Sequence, residues 1–433
     1  MISECNISIN NKGGISNMFN RFSLSMGLLF GIISFSLLGI SQNGYSQKKS
    51  EEIILGNKIT IHSKVLNEDR KILIRLPENY NKSKQKYPVL YLLDGEFFFL
   101  QASSAVQYLS ELGYIRNQPI SQMIVVGIVN VDRNRDYTPT YAPKQKGGLE
   151  FPTSGKAEIF LKFLNSELFP YVESNYRTEP YRILAGWSLG GLFTVYTFFE
   201  HPDYFSAYLA ISPSLWWDGD LYVNKTKTLI ENNKIQKKKI AVTVGSLEGG
   251  DIGRSVRDGF IPLMANKFGE KGFFKTIEIP NEGHSYGPYK ALYEGLKLIY
   301  SDWQMSDDLL EGGIAATKTF YKKLSREYGY VIDVPEAAYS NLVNYVYNQV
   351  STEAAVETAK LYVKAYPESS YAYYRLGLFS YLSGKLEAAK ENLQKALDLE
   401  NKTPDPDSER IITYTININK VEKAIEDKSN GEK

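Results

Sequence analysis

This sequence contains almost no cysteine, and its net charge is close to zero. A single cysteine, Cys5, occurs in 433 residues, and it lies in a stretch that we interpret below as a removable leader. The remainder of the chain therefore has no disulfide and no thiol nucleophile. Lys and Arg number 50 against 49 Asp and Glu, a net charge of +1, so nothing points to nucleic acid as a partner. Only 3 histidines are present, and no metal-ligand spacing occurs, so we expect neither a metal nor another cofactor.

Charged residues are also missing from residues 22–40, which follow Arg21. A basic residue, an apolar run and then small residues at Gly44 and Ser46 are typical of a secretory signal peptide, here with cleavage after about Ser46. We therefore predict a secreted or periplasmic protein with no membrane segment after cleavage. Because the apolar run is long for a signal peptide, an uncleaved membrane anchor stays the alternative.

The whole sequence has the composition of an ordinary globular protein, with 43% hydrophobic and 23% charged residues. Continuous apolar runs alternate with amphipathic helical patterns, as expected of strands that are covered on both faces. Such alternation predicts a mostly parallel sheet with helices on both sides. We predict a hairpin over residues 52–77, strands at 89–93, 123–130, 207–212, 239–245 and 274–279, and helices at 102–112 and 158–176.

One stretch carries a catalytic pattern, Gly-Trp-Ser-Leu-Gly at residues 186–190. Gly-x-Ser-x-Gly between an apolar strand and a helix is the nucleophile-elbow pattern, in which a serine projects from a tight turn. We predict Ser188 as a nucleophile, with the backbone N–H of Leu189 as one donor to a developing oxyanion. The second donor is expected in the turn after the strand at 89–93, from either Gly95 or Glu96.

A serine nucleophile needs a base, and the three histidines differ in their suitability. His62 precedes the predicted sheet core. His201 ends the helix that Ser188 begins, and a helix of that length separates the two by about 18 Å. His284 follows the last predicted strand, which agrees with the chain order serine, acid, histidine of hydrolases with this layout. We therefore predict His284 as the base.

The acid that orients the base is expected in the loop after the strand at 239–245. Both Glu248 and Asp251 lie in this loop. We favour Glu248, because Asp251 can instead cap the helix that follows.

Four segments together carry a family resemblance: Leu-Leu-Asp-Gly at 92–95, Asp-Arg-Asn-Arg-Asp-Tyr-Thr-Pro at 132–139, Gly-Trp-Ser-Leu-Gly-Gly at 186–191 and Ser-Pro-Ser-Leu-Trp-Trp at 212–217. They resemble the esterase branch of the α/β-hydrolases that contains S-formylglutathione hydrolase (esterase D), the enterochelin and salmochelin esterases, feruloyl esterases and the mycolyltransferases. The first two segments look most like the periplasmic salmochelin esterases. The resemblance covers about residues 53–303, and it implies an α/β-hydrolase fold with Ser188 as nucleophile and His284 as base.

Four side chains near these segments are candidates for binding a substrate. Trp187 and Trp216 would flank the site and could stack on a flat acyl or sugar group, the alternative being core packing. Arg133 and Arg135 could bind an anionic substrate, the alternative being a solvated loop.

The C-terminal part repeats itself with a period of 34 residues. Leu342 aligns with Leu376, and Ala355 with Ala389. A period of 34 is that of tetratricopeptide repeats, which present a groove to a peptide or to a neighbouring domain. We thus expect a peptide or self-association partner, or a packing appendage. The predicted organisation is a signal peptide (1–46), an α/β-hydrolase domain (47–305), a helical connector (306–335), a small all-α tetratricopeptide-like domain (336–427) and a frayed tail (428–433).

The function predicted from these patterns is a serine esterase that acts through an acyl-enzyme on a small-molecule or glycan-linked ester. A siderophore lactone and an acyl or feruloyl ester of a polysaccharide are the candidate substrates. Two alternatives stay open: an acyltransferase with the same catalytic residues, and an inactive hydrolase scaffold that binds a partner through its helical repeats.

Overall fold

The computed structural model of the protein describes residues 53–78, 80–111, 118–269 and 272–431. The predicted signal peptide and its cleavage site lie outside these residues, as does Leu112, where we expected the first helix to end. Within the described ranges no helix combines the length and hydropathy needed to cross a membrane.

Eight strands form one sheet in the order β1-β2-β4-β3-β5-β6-β7-β8. The predicted N-terminal hairpin supplies the two strands at one edge, where β1 pairs with β2 and β2 pairs with β4 in antiparallel orientation, and β3 to β8 are all parallel to one another. The prediction of a mostly parallel sheet is therefore confirmed. The strands are β1 (Asn57–Ser63), β2 (Glu68–Arg75), β3 (Tyr87–Leu92), β4 (Ile124–Ile128), β5 (Thr178–Trp187), β6 (Ala207–Ile211), β7 (Lys239–Gly245) and β8 (Phe274–Ile279).

Helices cover both faces of the sheet, so the central strands are buried along their whole length. In β3, for example, Val89 and Tyr91 belong to the core on one face, and Leu90 and Leu92 to the core on the other. The helices are α1 (Gly95–Ser110), α2 (Arg133–Tyr137), α3 (Ala157–Phe163), α4 (Phe169–Asn175), α5 (Leu189–Glu200), α6 (Trp217–Glu231), α7 (Gly250–Gly253), α8 (Ile261–Phe268), α9 (Pro288–Ile299), α10 (Asp308–Glu311), α11 (Gly313–Tyr328), α12 (Glu336–Gln349), α13 (Thr352–Ala365), α14 (Ser370–Leu382), α15 (Leu386–Asn401) and α16 (Ser408–Gly431).

Two helix predictions differ from the structure in their detail. α1 begins at Gly95 rather than Ala102, directly after Asp94, which takes a left-handed conformation with φ of 54°. The helix predicted over 158–176 is divided by a wide π-type turn at Leu164–Leu168. Pro170 explains the division, because it has no N–H to donate and its ring crowds the preceding turn.

The predicted connector packs onto the sheet domain through α11. Tyr328 stacks on Tyr300 with ring centroids 5.3 Å apart, contacts Tyr181 at 5.0 Å, and donates a hydrogen bond to Asp302. Side chains from the two sides of the predicted domain boundary near residue 305 therefore pack against each other.

The C-terminal helices follow the period that was read from the sequence. α12 and α14 begin at residues 336 and 370, and α13 and α15 at 352 and 386, so both pairs are offset by 34 residues. The aligned residues Leu342 and Leu376 are both buried. The tetratricopeptide assignment itself stays a prediction. α16 continues to Gly431, beyond residue 427, where we expected order to end.

Candidate active site

Ser188 lies between β5 and α5 in a strained turn. Its φ of 57° and ψ of −115° are rare for a residue with a side chain, and they project the hydroxyl from the end of the sheet. The flanking glycines are required by close backbone contact. A Cβ on Gly186 would lie 2.3 Å from the carbonyl oxygen of Gly190, and one on Gly191 would lie 2.9 Å from the carbonyl oxygen of Ile211.

An unbroken chain of hydrogen bonds joins Ser188, His284 and Glu248. Ser188 Oγ is 3.0 Å from His284 Nε2, and His284 Nδ1 is 2.8 Å from Glu248 Oε2. The three residues follow β5, β8 and β7, so parallel strands deliver all of them to the same edge of the sheet. In such sheets, ligands bind at the carboxyl ends of the strands.

The Glu248 carboxylate is held by more than His284. Its Oε1 accepts hydrogen bonds from Ser212 Oγ and from the Gly245 N–H, and Arg257 donates to the backbone carbonyls of Gly245 and Glu248. Burial raises the pKa of Glu248, but the hydrogen bonds from His284, Ser212 and Gly245 outweigh burial and hold it below its ordinary value of 4.5. Glu248 is therefore ionised at neutral pH.

The structure does not bring Asp251, the alternative acid, to His284. Its side chain is 48% exposed and faces Arg254, with Oδ1 3.3 Å from Nη2. Nor does Asp251 cap the next helix, because the residue preceding α7 is Gly249. The other two histidines lie elsewhere: His62 contacts Asp69, and His201 contacts Glu158.

The predicted oxyanion donors are the first residues of two helices that meet beside Ser188. Leu189 begins α5, while Gly95 and Glu96 begin α1, and the first N–H groups of a helix have no partner within it. The two turns are close, since a Cβ on Gly190 would lie 3.2 Å from Asp94 Oδ2. Their role in binding an oxyanion stays a prediction.

Arg133, a candidate for binding an anionic substrate, connects these two turns. Its Nε and Nη2 bond to both carboxylate oxygens of the fully buried Asp94, and Nη2 also bonds to the carbonyl oxygen of Trp187 at 2.9 Å. Burial opposes the charge of Arg133, but its hydrogen bonds to Asp94 and the charge of Asp94 prevail and raise its pKa. Arg135 likewise donates hydrogen bonds to protein carboxylates, those of Glu68 and Asp136.

The two tryptophans that are candidates for stacking on a substrate pack against protein side chains, which is the alternative considered for them above. The Trp187 ring lies between Phe98 and His284, at 5.6 and 4.8 Å, and its indole N–H donates to the carbonyl oxygen of His284. Trp187 therefore helps to orient the base. Trp216 is half-buried against Phe151 and against Trp217, which is fully buried.

Sequence reasoning missed the roles of two serines in the segment 212–217. Ser212 Oγ donates to Glu248, and Ser214 Oγ lies 3.2 Å from Ser188 Oγ. The sequence did contain an indication of these roles. Two serines closely follow β6, whose carboxyl end lies at the same edge of the sheet as the site.

Large apolar side chains next to the site residues are exposed to solvent. Phe97 in the first turn of α1 is 62% exposed, Leu247 beside Glu248 is 68% exposed, and Tyr286 near His284 is 88% exposed. Within the described residues, no group of three or more His, Cys, Asp or Glu side chains is arranged to hold a metal ion.

In a comparison with known protein families, residues 63–254 match the family described as "Putative esterase". The chain is 30% identical over 174 residues to ferri-bacillibactin esterase BesA of Bacillus subtilis, which covers 37% of this chain and 60% of that protein. It is 28% identical over 181 residues to siderophore triacetylfusarinine C esterase of Aspergillus fumigatus, covering 40% of this chain and 60% of the relative. The chain thus spans about 60% of the length of these curated relatives.

Among solved structures, an IroE-like serine hydrolase from Shewanella oneidensis is 29% identical to this chain. It superposes with a TM-score of 0.59 and covers 71% of this chain and 98% of its own.

Proposed function

Because residues 63–254 match the model of the family described as "Putative esterase", we propose that this protein is a serine esterase that hydrolyses carboxylic esters through an acyl-enzyme. The observation that carries the proposal is the hydrogen-bond chain from Ser188 through His284 to Glu248, at 3.0 and 2.8 Å. A nucleophile, a base and an orienting acid within hydrogen-bond reach of one another are the arrangement that acyl transfer requires.

The proposed reaction begins when Ser188 Oγ attacks the ester carbonyl and its proton passes to His284 Nε2. Glu248 remains ionised and stabilises the imidazolium that forms. The oxyanion is bound by the N–H of Leu189 and by that of Gly95 or Glu96. Collapse of this intermediate expels the alcohol, which takes the proton from His284, and water then releases the acid by the same steps.

As substrate we propose a siderophore ester ahead of an acyl or feruloyl ester of a polysaccharide. One relative is named as a siderophore triacetylfusarinine C esterase, and another as a ferri-bacillibactin esterase. The exposed Phe97, Leu247 and Tyr286 offer apolar surface for a bulky, uncharged part of such a molecule. With Arg133 and Arg135 engaged by carboxylates, recognition would depend on shape and apolar contact more than on the charge of these arginines.

We further propose that the protein works outside the cytoplasm, as a secreted or periplasmic enzyme. The support is the apolar segment 22–40 after Arg21 and the small residues before position 47. N-terminal sequencing of protein recovered from the native envelope or medium tests this proposal. A terminus near Gln47 is the expected result, and a retained apolar segment in a membrane fraction would contradict it.

The activity is tested by incubating the protein with a short-chain p-nitrophenyl ester and a fluorophosphonate, beside Ser188→Ala. We expect turnover and covalent labelling in the wild type, and neither in the variant. A panel of siderophore lactones and feruloyl polysaccharides then compares kcat/KM between substrate classes. Wild-type protein that neither labels nor hydrolyses any ester would refute the proposal, and a preference for the polysaccharide would reverse the order of substrates.

A further inference from the structure

Ser214 contacts the reacting oxygen of the proposed nucleophile. Its Oγ lies 3.2 Å from Ser188 Oγ, and no other hydrogen-bond partner of the Ser214 hydroxyl lies within the described part of the chain. The side chain is 1% exposed. Ser214 is therefore a buried hydroxyl directed at the one atom that would form and break the acyl bond.

The direction of this hydrogen bond follows from counting hydrogens. Glu248 is ionised, so His284 Nδ1 carries the hydrogen that the carboxylate accepts, and in the form of His284 that can act as a base Nε2 is an acceptor. Ser188 must then donate its only hydroxyl hydrogen to Nε2. Since Ser188 Oγ has no second hydrogen, Ser214 is the donor and Ser188 Oγ the acceptor.

Backbone contacts hold the Ser214 donor in place. The Ser214 N–H donates to the carbonyl oxygen of Ser188 at 3.0 Å, so the two serines are joined by their main chains as well. The preceding Pro213 packs closely on the elbow, because a Cβ on Gly191 would lie 2.9 Å from Pro213 Cα. A donor fixed in this way needs no reorganisation when charge develops on its partner.

We propose that the Ser214 hydroxyl is a further catalytic group, which donates a hydrogen bond to Ser188 Oγ as that oxygen leaves the acyl-enzyme. This inference rests on the proposed esterase function. In deacylation, His284 Nε2 takes a proton from water, and the water oxygen bonds to the acyl carbon. The bond from that carbon to Ser188 Oγ then breaks, its electron pair goes to Oγ, and the proton returns from Nε2 to Oγ. Ser214 keeps its own proton throughout.

The donor should favour deacylation more than acylation. In the acyl-enzyme, Ser188 Oγ is an ester oxygen and a weak acceptor, whereas the leaving oxygen gains negative charge and becomes a strong one. In the free enzyme, Oγ already accepts the same bond as a hydroxyl, so less is gained when it attacks. Only interactions that strengthen in the transition state accelerate a step, so the benefit is concentrated on the step in which Ser188 leaves.

The test uses Ser214→Ala with p-nitrophenyl acetate, whose activated leaving group makes deacylation the slower step. For such an ester kcat reports deacylation, and kcat/KM reports acylation. We expect kcat to fall between about tenfold and a hundredfold, while kcat/KM stays within about threefold, so that KM falls with kcat. Intact-mass measurement should then find the acetyl-enzyme accumulated on Ser188.

Ser103→Ala is the matched control, because Ser103 is a fully buried serine on α1 whose Oγ has no hydrogen-bond partner among the described residues. It should leave kcat and kcat/KM unchanged. The proposal is overturned if Ser214→Ala keeps the wild-type kcat, or lowers kcat and kcat/KM equally. It is also overturned if Ser214→Ala fails to fold or reacts more slowly with a fluorophosphonate, which would assign the hydroxyl to maintaining the site. A wild-type protein that neither reacts with a fluorophosphonate nor hydrolyses esters would refute the proposed esterase function itself. That result is distinct from an active wild type whose Ser214→Ala variant behaves differently from the expectation above.

Discussion

Glu248→Gln changes the one carboxylate oxygen that faces His284 into an amide nitrogen. Glutamine keeps the size of the side chain, and its carbonyl oxygen can still accept from Gly245 N–H and Ser212 Oγ. The amide NH₂ group would then point at His284 Nδ1, which is 2.8 Å from Oε2 in the wild type. Two donors cannot share that contact, so the imidazole must carry its hydrogen on Nε2 instead.

A hydrogen on Nε2 removes the acceptor that Ser188 needs. The imidazolium also loses the negative charge that would stabilise it. In serine proteases the equivalent change lowers kcat by about 10⁴-fold, which corresponds to about 5.5 kcal/mol of transition-state stabilisation. We expect a loss of that order here, because Glu248 is buried and its lowered pKa indicates strong hydrogen bonds to the ionised form.

The measurement is kcat with a p-nitrophenyl ester across neutral pH, with circular dichroism to show that the variant is folded. Asp251→Asn is the matched control, since Asp251 is a nearby half-exposed acid, in α7, that faces Arg254. It should change kcat less than about twofold, because exposed ion pairs contribute little. A Glu248→Gln enzyme within tenfold of the wild type would refute the reasoning and make the site a Ser188–His284 dyad.

Three further predictions concern stability. Arg133→Met leaves the buried Asp94 without its cation and should lower the free energy of unfolding by about 3–5 kcal/mol in urea titrations; a loss below about 1 kcal/mol would contradict this. Gly377→Ala places a methyl group 2.7 Å from Leu393 Cγ and should lower the free energy of unfolding by about 1–3 kcal/mol, measured by thermal unfolding. An unchanged midpoint would show that α14 and α15 move apart to accommodate the methyl group. Because folding lowers the pKa of Glu248, this group contributes stability that is fully present above pH 4.5 and is lost as the pH falls through its folded value. Acidification should thus destabilise the wild type more than Glu248→Gln, and equal losses would argue against the lowered pKa.

The sequence was most informative where one local rule determines the structure. β7 and β8 have the predicted bounds. β7 is covered on both faces, and such a strand requires a continuous apolar run that ends abruptly. β8 lies at the edge of the sheet, and its buried residues Phe274 and Ile279 mark its two ends. Helix bounds were less accurate. The start of α1 is hidden in an aromatic segment with low helix propensity, and the π-type turn at Leu164–Leu168 depends on how the helix adapts to Pro170.

For the site, the sequence by itself determined the nucleophile pattern around Ser188 and the position of His284 after the last strand, because both depend on local spacing and chain order. Only the tertiary structure decided between Glu248 and Asp251, since both follow β7 closely in the sequence and differ in which of them faces the histidine. It also showed that Arg133, a candidate substrate ligand, is the partner of a buried carboxylate. These contacts join residues that are far apart in the chain, so they exist only once the parallel strands have brought the loops to one edge of the sheet.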